Sequence, residues 1–172
     1  TDAELLGRLP ENEGAEWLAA VPVMVESCRR LADLGPGPSL VHGDFHPWNV
    51  VAGAGGVRVF DWTDASVAHP FLDLVTYVMR SRDPGLRGSM LRRYLEHWTG
   101  ILPAAALEEA GRLALAVGAL HQAHTYAQLI PTVMPDDLGQ LRNGDVQWLR
   151  RAMRGRNLAA ATTLRAGIEG SG

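Results

Sequence analysis

Lysine is missing from this chain: its 16 basic residues are all arginine. Any reaction that requires a lysine amine from these residues is therefore excluded. Cysteine is almost missing as well, since Cys28 stands alone, and no disulfide can close within the chain. One lone thiol fits a reducing compartment, and a cytoplasmic location is the expectation. No apolar run approaches the roughly 18 residues of a membrane span, and the acidic start Thr1-Asp2-Ala3-Glu4 leads into no apolar signal core. Neither a membrane partner nor a secretory signal is expected. Excess positive charge is also lacking: with a net charge of −3 and a pI near 6.0, there is no basic field to gather nucleic acid phosphates. Nucleic acid is not an expected partner. What remains is a globular composition, 47% apolar and 20% charged over 172 residues, enough for one well-packed domain and short of two ordinary ones.

The apolar pattern divides the chain by period. From Glu16 to Leu34 apolar residues fall at Val21, Met24, Val25, Cys28 and Leu31, the stripe of a helix with one buried face. Pro22 suits a helix start or a kink, and Gly35-Pro36-Gly37-Pro38 stops the helix. Between Ser39 and Trp62 the period shortens into the runs Leu40-Val41, Asn49-Val50-Val51 and Val57-Arg58-Val59-Phe60, which read as a small β-region. Gly53-Ala54-Gly55-Gly56 predicts a hairpin turn between two of these strands. It is not a phosphate loop, because neither Lys-Ser/Thr nor a helix follows. Beyond Pro70 helices are expected over about 71–80, 86–99, 104–130 and 144–165. The segment from Leu113 to Leu120 is apolar on nearly all sides and so belongs in the middle of a bundle. The expected fold class is mainly α with a small β-hairpin insert (α+β), in a single domain over residues 1–172.

The stretch that carries chemistry is Val41-His42-Gly43-Asp44-Phe45-His46-Pro47-Trp48-Asn49-Val50, followed by Asp61 in Val59-Phe60-Asp61-Trp62. Hairpin pairing of the strand that starts at Asn49 with the strand that ends at Asp61 brings those two residues together. An amide oxygen and a carboxylate at one place are hard ligands suited to Mg²⁺. Asp44, on the adjoining loop, is placed to accept a proton from a substrate hydroxyl.

These motifs resemble the aminoglycoside phosphotransferase and choline kinase superfamily, relatives of the protein kinases. His42-Gly43-Asp44 with Asn49 five residues after the aspartate is similar to the catalytic loop of that family. Phe60-Asp61-Trp62 is similar to its metal-binding segment, and Asp64-Ala65 through His69-Pro70-Phe71-Leu72-Asp73-Leu74 to the stretch that follows. Trp48, Thr63 and His69 depart from the commonest choices. The resemblance implies the C-terminal lobe of a protein-kinase-like phosphotransferase, with Asp44 as catalytic base and Asn49 and Asp61 as ligands of Mg²⁺ on a bound nucleotide. The implied reaction is transfer of the γ-phosphoryl group of ATP, or another nucleoside triphosphate, to a hydroxyl of an aminoglycoside-like, choline-like or sugar acceptor.

In that family the nucleotide-clamping lysine lies on an N-terminal lobe, which this lysine-free chain does not contain. The chain alone is therefore expected to be incomplete and inactive, and its exposed lobe surface offers a route to a homodimer. Asp73 is expected to be structural, either as a helix-start carboxylate or as a brace for the catalytic loop. Asp64, Asp136 and Asp137 are candidates to meet a cationic acceptor, although solvated loops carry such acids too. Two other readings stand beside the phosphotransferase. One is a non-catalytic substrate-binding or regulatory lobe. The other is a metal-dependent hydrolase with His42, Asp44 and His46 as ligands at a period of two, a pattern that Gly43 and Pro47 disfavour in a strand.

Overall fold

Acidic residues open the first long helix and a basic one closes it, as the helix dipole favours. In the computed structural model, which describes residues 3–79 and 81–155, this helix α2 runs Glu11–Asp33 with Glu11 and Glu13 in its first turn and Arg30 in its last. A short α1, Ala3–Gly7, precedes it. Pro22 lies inside α2 rather than at its start. The buried face is also rotated from the apolar stripe: Trp17, Ala20, Met24, Ser27 and Leu31 are inside, while Val25 and Cys28 are exposed. Apolar periodicity could not find this face, because two of its members are small. Ser27 is accommodated by donating its hydroxyl to the Val23 carbonyl at 2.8 Å.

The β-region forms two separate antiparallel pairs. Strands β2 (Val50–Gly53) and β3 (Gly56–Val59) make the expected hairpin, in register from Val50 opposite Val59 to Gly53 opposite Gly56. Gly56 turns the chain at φ 100°, a torsion that glycine adopts without steric penalty. Strand β1 (Ser39–Val41) pairs instead with β4 (Ser66–Ala68), Leu40 opposite Val67. Three residues with one β-branched member give almost no sequence signal, and β4 is a strand only through its partner.

A 3₁₀ turn at Pro70–Leu72 leads into α3, Asp73–Met79. Asp83 caps α4 (Pro84–Glu96) by accepting from Gly85 N at 2.8 Å and Leu86 N at 3.3 Å, with proline at the first position, where no N–H is needed. Helix α5 spans Ala104–Leu129, and α6 occupies residues 144–155. The remainder of the expected last helix, 156–165, lies outside the described residues. The observed class is mainly α with a small antiparallel β insert. No helix among the described residues is long and apolar enough to cross a membrane.

Contacts divide the chain into two compact units, Thr1–Arg29 with Ala116–Gly172, and Arg30–Leu115. In the first, Arg150 pairs with both oxygens of Glu13 at 2.8 and 2.9 Å, and the buried Asp145 carboxylate is met by Arg8. The second contains both β pairs. Its centre is Phe71, fully buried and met edge-on by His69, Tyr94 and Trp98 at ring distances of 4.9, 5.4 and 5.3 Å, a favourable arrangement for aromatic quadrupoles.

His69 holds this centre in one protonation state. Its Nδ1 accepts from the Phe71 N–H at 3.2 Å, so Nε2 carries the proton and donates to the Leu34 carbonyl at 3.1 Å. Burial holds the imidazole below its ordinary value of 6.5, against the opposing hydrogen bond to Leu34. Below about 6.5 the unfolded chain takes up a proton that the folded ring resists. Stability from His69 is therefore complete above that pH and declines as pH falls through the lower folded value. A His69→Gln variant is expected to lose this component, a slope of at most about 1.4 kcal/mol per pH unit. Urea unfolding between pH 5 and 8 measures it, and an unchanged slope would rule it out.

Candidate active site

The segment after β1 leaves the sheet at Gly43, whose φ of 85° lies in the left-handed region. A Cβ at this position would overlap the carbonyl oxygen of Asp64, so both torsion and space require glycine. Gly43→Ala is expected to destabilise the protein by about 2–3 kcal/mol, from backbone strain plus steric displacement. Chemical denaturation measures this directly.

Helix α3 holds the loop from behind. The Asp73 carboxylate accepts from two successive backbone N–H groups, His42 at 2.8 Å and Gly43 at 2.9 Å. One turn on, the Thr76 hydroxyl donates to the Phe45 carbonyl at 2.6 Å. Of the two roles expected for Asp73, the loop brace is the one these bonds describe. His42 is 1% exposed and ties the loop to the hairpin: Nδ1 accepts from the Asp44 N–H at 3.3 Å, and Nε2 donates to the Phe60 carbonyl at 2.9 Å. Only one neutral tautomer serves both bonds.

Asn49 closes the other side. It is buried, its side-chain Nδ2 donates to the Asp44 carbonyl at 3.1 Å, and its own carbonyl accepts from the Phe60 N–H at 3.1 Å. Pairing thus continues one residue beyond β3, as the hairpin argument required, and Asp61 is the next residue along. Asp61 is the only non-glycine residue with positive φ, 62°, among those described. Aspartate tolerates this torsion better than most residues, and such strain gathers at functional sites. Asp61 is exposed and one of its oxygens accepts the Thr63 hydroxyl.

The Asp44 carboxylate touches the protein at one oxygen, where Oδ2 meets His46 Nε2 at 3.1 Å. Nδ1 of the same imidazole is buried with no hydrogen-bond partner. The sequence pattern marked His46 as a ligand in the hydrolase reading and did not set it against the Asp44 carboxylate in the phosphotransferase reading. The spacing of two residues was visible, but the bend that lets the side chains meet was not.

Asp44, Asn49 and Asp61 are therefore brought to one loop and the adjoining hairpin end, linked by hydrogen bonds through Asp44 O, Asn49 and Phe60. As a donor set, the Asn49 amide oxygen and the Asp61 carboxylate fit a hard divalent cation: Nδ2 of Asn49 is engaged, which turns the choice of amide atom, and Asp61 retains a second oxygen. The hydrolase reading is not supported. Residues 42–46 are not a strand, both His42 nitrogens serve backbone groups, and no metal-holding cluster of three His, Cys, Asp or Glu occurs among the described residues.

Residues 2–107 match the family described as APH, phosphotransferase enzyme family. No curated protein and no solved structure matches the chain.

Proposed function

The chain belongs to the phosphotransferase enzyme family, and from that premise we propose that it carries the base and metal-ligand half of an ATP-dependent kinase acting on a small hydroxylated molecule. The observation that carries this reading is the bond from Asn49 Nδ2 to the Asp44 carbonyl. Together with the Phe60–Asn49 backbone bond, it ties the segment that carries Asp44 to the hairpin end that carries Asn49 and Asp61, which supports a proton acceptor working close to two oxygen ligands.

In this reading the acceptor hydroxyl lies against Asp44, and the carboxylate takes its proton as the new bond forms between that oxygen and the γ-phosphorus. The bond from the γ-phosphorus to the bridging oxygen breaks, and a nucleoside diphosphate leaves. Oδ2 is oriented by His46, so Oδ1 is the oxygen presented to the hydroxyl. Asn49 and Asp61 would hold Mg²⁺, which when bound neutralises charge on the nucleotide phosphates. Everything else asked of these residues is positioning, which the Asp73, Thr76 and His42 bonds provide.

Because the chain has no lysine, a lobe outside these 172 residues would clamp the nucleotide in this reading, this chain being the C-terminal lobe. The test is transfer of labelled γ-phosphate from ATP by the protein joined to such a lobe, with and without Mg²⁺. Transfer that requires Mg²⁺ and is lost in Asp61→Asn is the expected result. Mg²⁺-independent transfer, or an active Asp61→Asn, would reject these roles. Equal activity from the isolated chain would reject its incompleteness.

A further inference from the structure

The second unit carries an open pocket of about 640 Å³, within the size range that holds a drug-sized molecule. Its wall includes Phe45 and Trp62, which directly follow Asp44 and Asp61 in the chain. A molecule filling the cavity thus lies against the neighbours of both acids. The rest of the lining is largely apolar, with Tyr77, Leu86 and Met90 among its members. Phe45 and Tyr77 stack at 5.4 Å, which gives one side a flat aromatic surface.

The charges in this wall are uneven. Its one acid is Asp73, and both oxygens of that carboxylate already accept backbone N–H groups. Asp64, a candidate to meet a cation, is not part of the wall. Besides His42, whose ring nitrogens serve backbone groups, two potentially cationic side chains line it, Arg93 on α4 and His97 at the C-terminal cap of that helix. Both are exposed, and no ion pair among the described residues involves Arg93. A cationic guest would meet a filled carboxylate and an arginine, whereas an anionic guest would meet the Arg93 guanidinium beside an apolar body-site.

Resting on the phosphotransferase reading above, we propose that this cavity holds the acceptor and selects an apolar, hydroxyl-bearing molecule with an anionic group, its anion at Arg93. Aminoglycoside-like and choline-like acceptors are disfavoured by the same wall. The transfer balances as before: the acceptor oxygen gains the phosphoryl group, its proton goes to Asp44, and ATP leaves as the diphosphate.

Cholate is a suitable probe, with a rigid apolar body, hydroxyls and a carboxylate, and kanamycin is the cationic comparison. Calorimetric titration of the full 172-residue chain is expected to show cholate binding and no kanamycin binding. Arg93→Glu is expected to weaken cholate about tenfold, and Met90→Trp, which fills the space, to abolish it while circular dichroism stays native. No cholate binding, tighter binding of kanamycin, or cholate binding indifferent to Arg93→Glu would overturn the proposal. The two readings fail separately. Cholate binding that follows these variants, in a lobe-complete protein that transfers no phosphate, rejects the kinase reading and keeps the ligand class. Phosphate transfer to kanamycin but to no anionic acceptor does the reverse.

Discussion

Asp44→Asn, in the protein joined to a nucleotide-clamping lobe as the proposed function requires, is expected to lower kcat for phosphate transfer by about 10²–10⁴-fold, the usual contribution of a positioned proton acceptor. The fold should be untouched, for a reason specific to this loop. Asp44 supports the structure through its backbone, whose N–H bonds His42 and whose carbonyl accepts from Asn49. Its side chain makes one protein contact, with His46, and an amide oxygen can still accept there. Unfolding midpoints should therefore coincide while kcat falls, and the nucleotide KM should change little. A loss confined to kcat marks an interaction made in the transition state. An Asp44→Asn enzyme with undiminished kcat would end the assignment of Asp44 as base.

The contrast between what the sequence made legible and what it hid follows from how each feature is encoded. The β2–β3 hairpin was readable because glycines at 53, 55 and 56 flank two apolar runs, and local turn chemistry sets the register. The order of Asp44, Asn49 and Asp61 was readable because spacing along a loop and hairpin limits where each can go. Strand β4 was hidden, since Ser66-Val67-Ala68 becomes a strand only by pairing with β1. The inner face of α2 was hidden because small Ala20 and Ser27 carry little hydrophobic signal yet permit close approach. The left-handed torsion of Asp61 and the contact from His46 to Asp44 depend on backbone direction, which no residue pattern records.

Asp73 illustrates the same limit, and its removal is expected to give the largest stability loss argued here. Two neighbouring backbone N–H groups converge on one carboxylate, at 2.8 and 2.9 Å. Bonds to a charged acceptor are worth about 1.5–3 kcal/mol each, and orphaned donors in a part-buried loop add a desolvation penalty. Asp73→Ala is therefore expected to destabilise the protein by about 4 kcal/mol, a large share of the roughly 5–15 kcal/mol typical of a domain. Asp73→Asn keeps one good acceptor and turns an NH₂ toward the other N–H, so its loss should be about half as large. A second readout separates the charge from the bonds. The Tyr94 phenol, which donates to the Pro70 carbonyl at 3.1 Å, is pushed up to about 12 by burial first and by the negative charge of Asp73 second. In Asp73→Asn the ultraviolet titration of Tyr94 should move down while remaining above 10, because burial persists. Denaturant unfolding of both variants, read with that titration, decides the matter. A stability loss below about 1 kcal/mol for Asp73→Ala, within the range of an ordinary surface change, would mean that the loop after β1 keeps its shape without the brace.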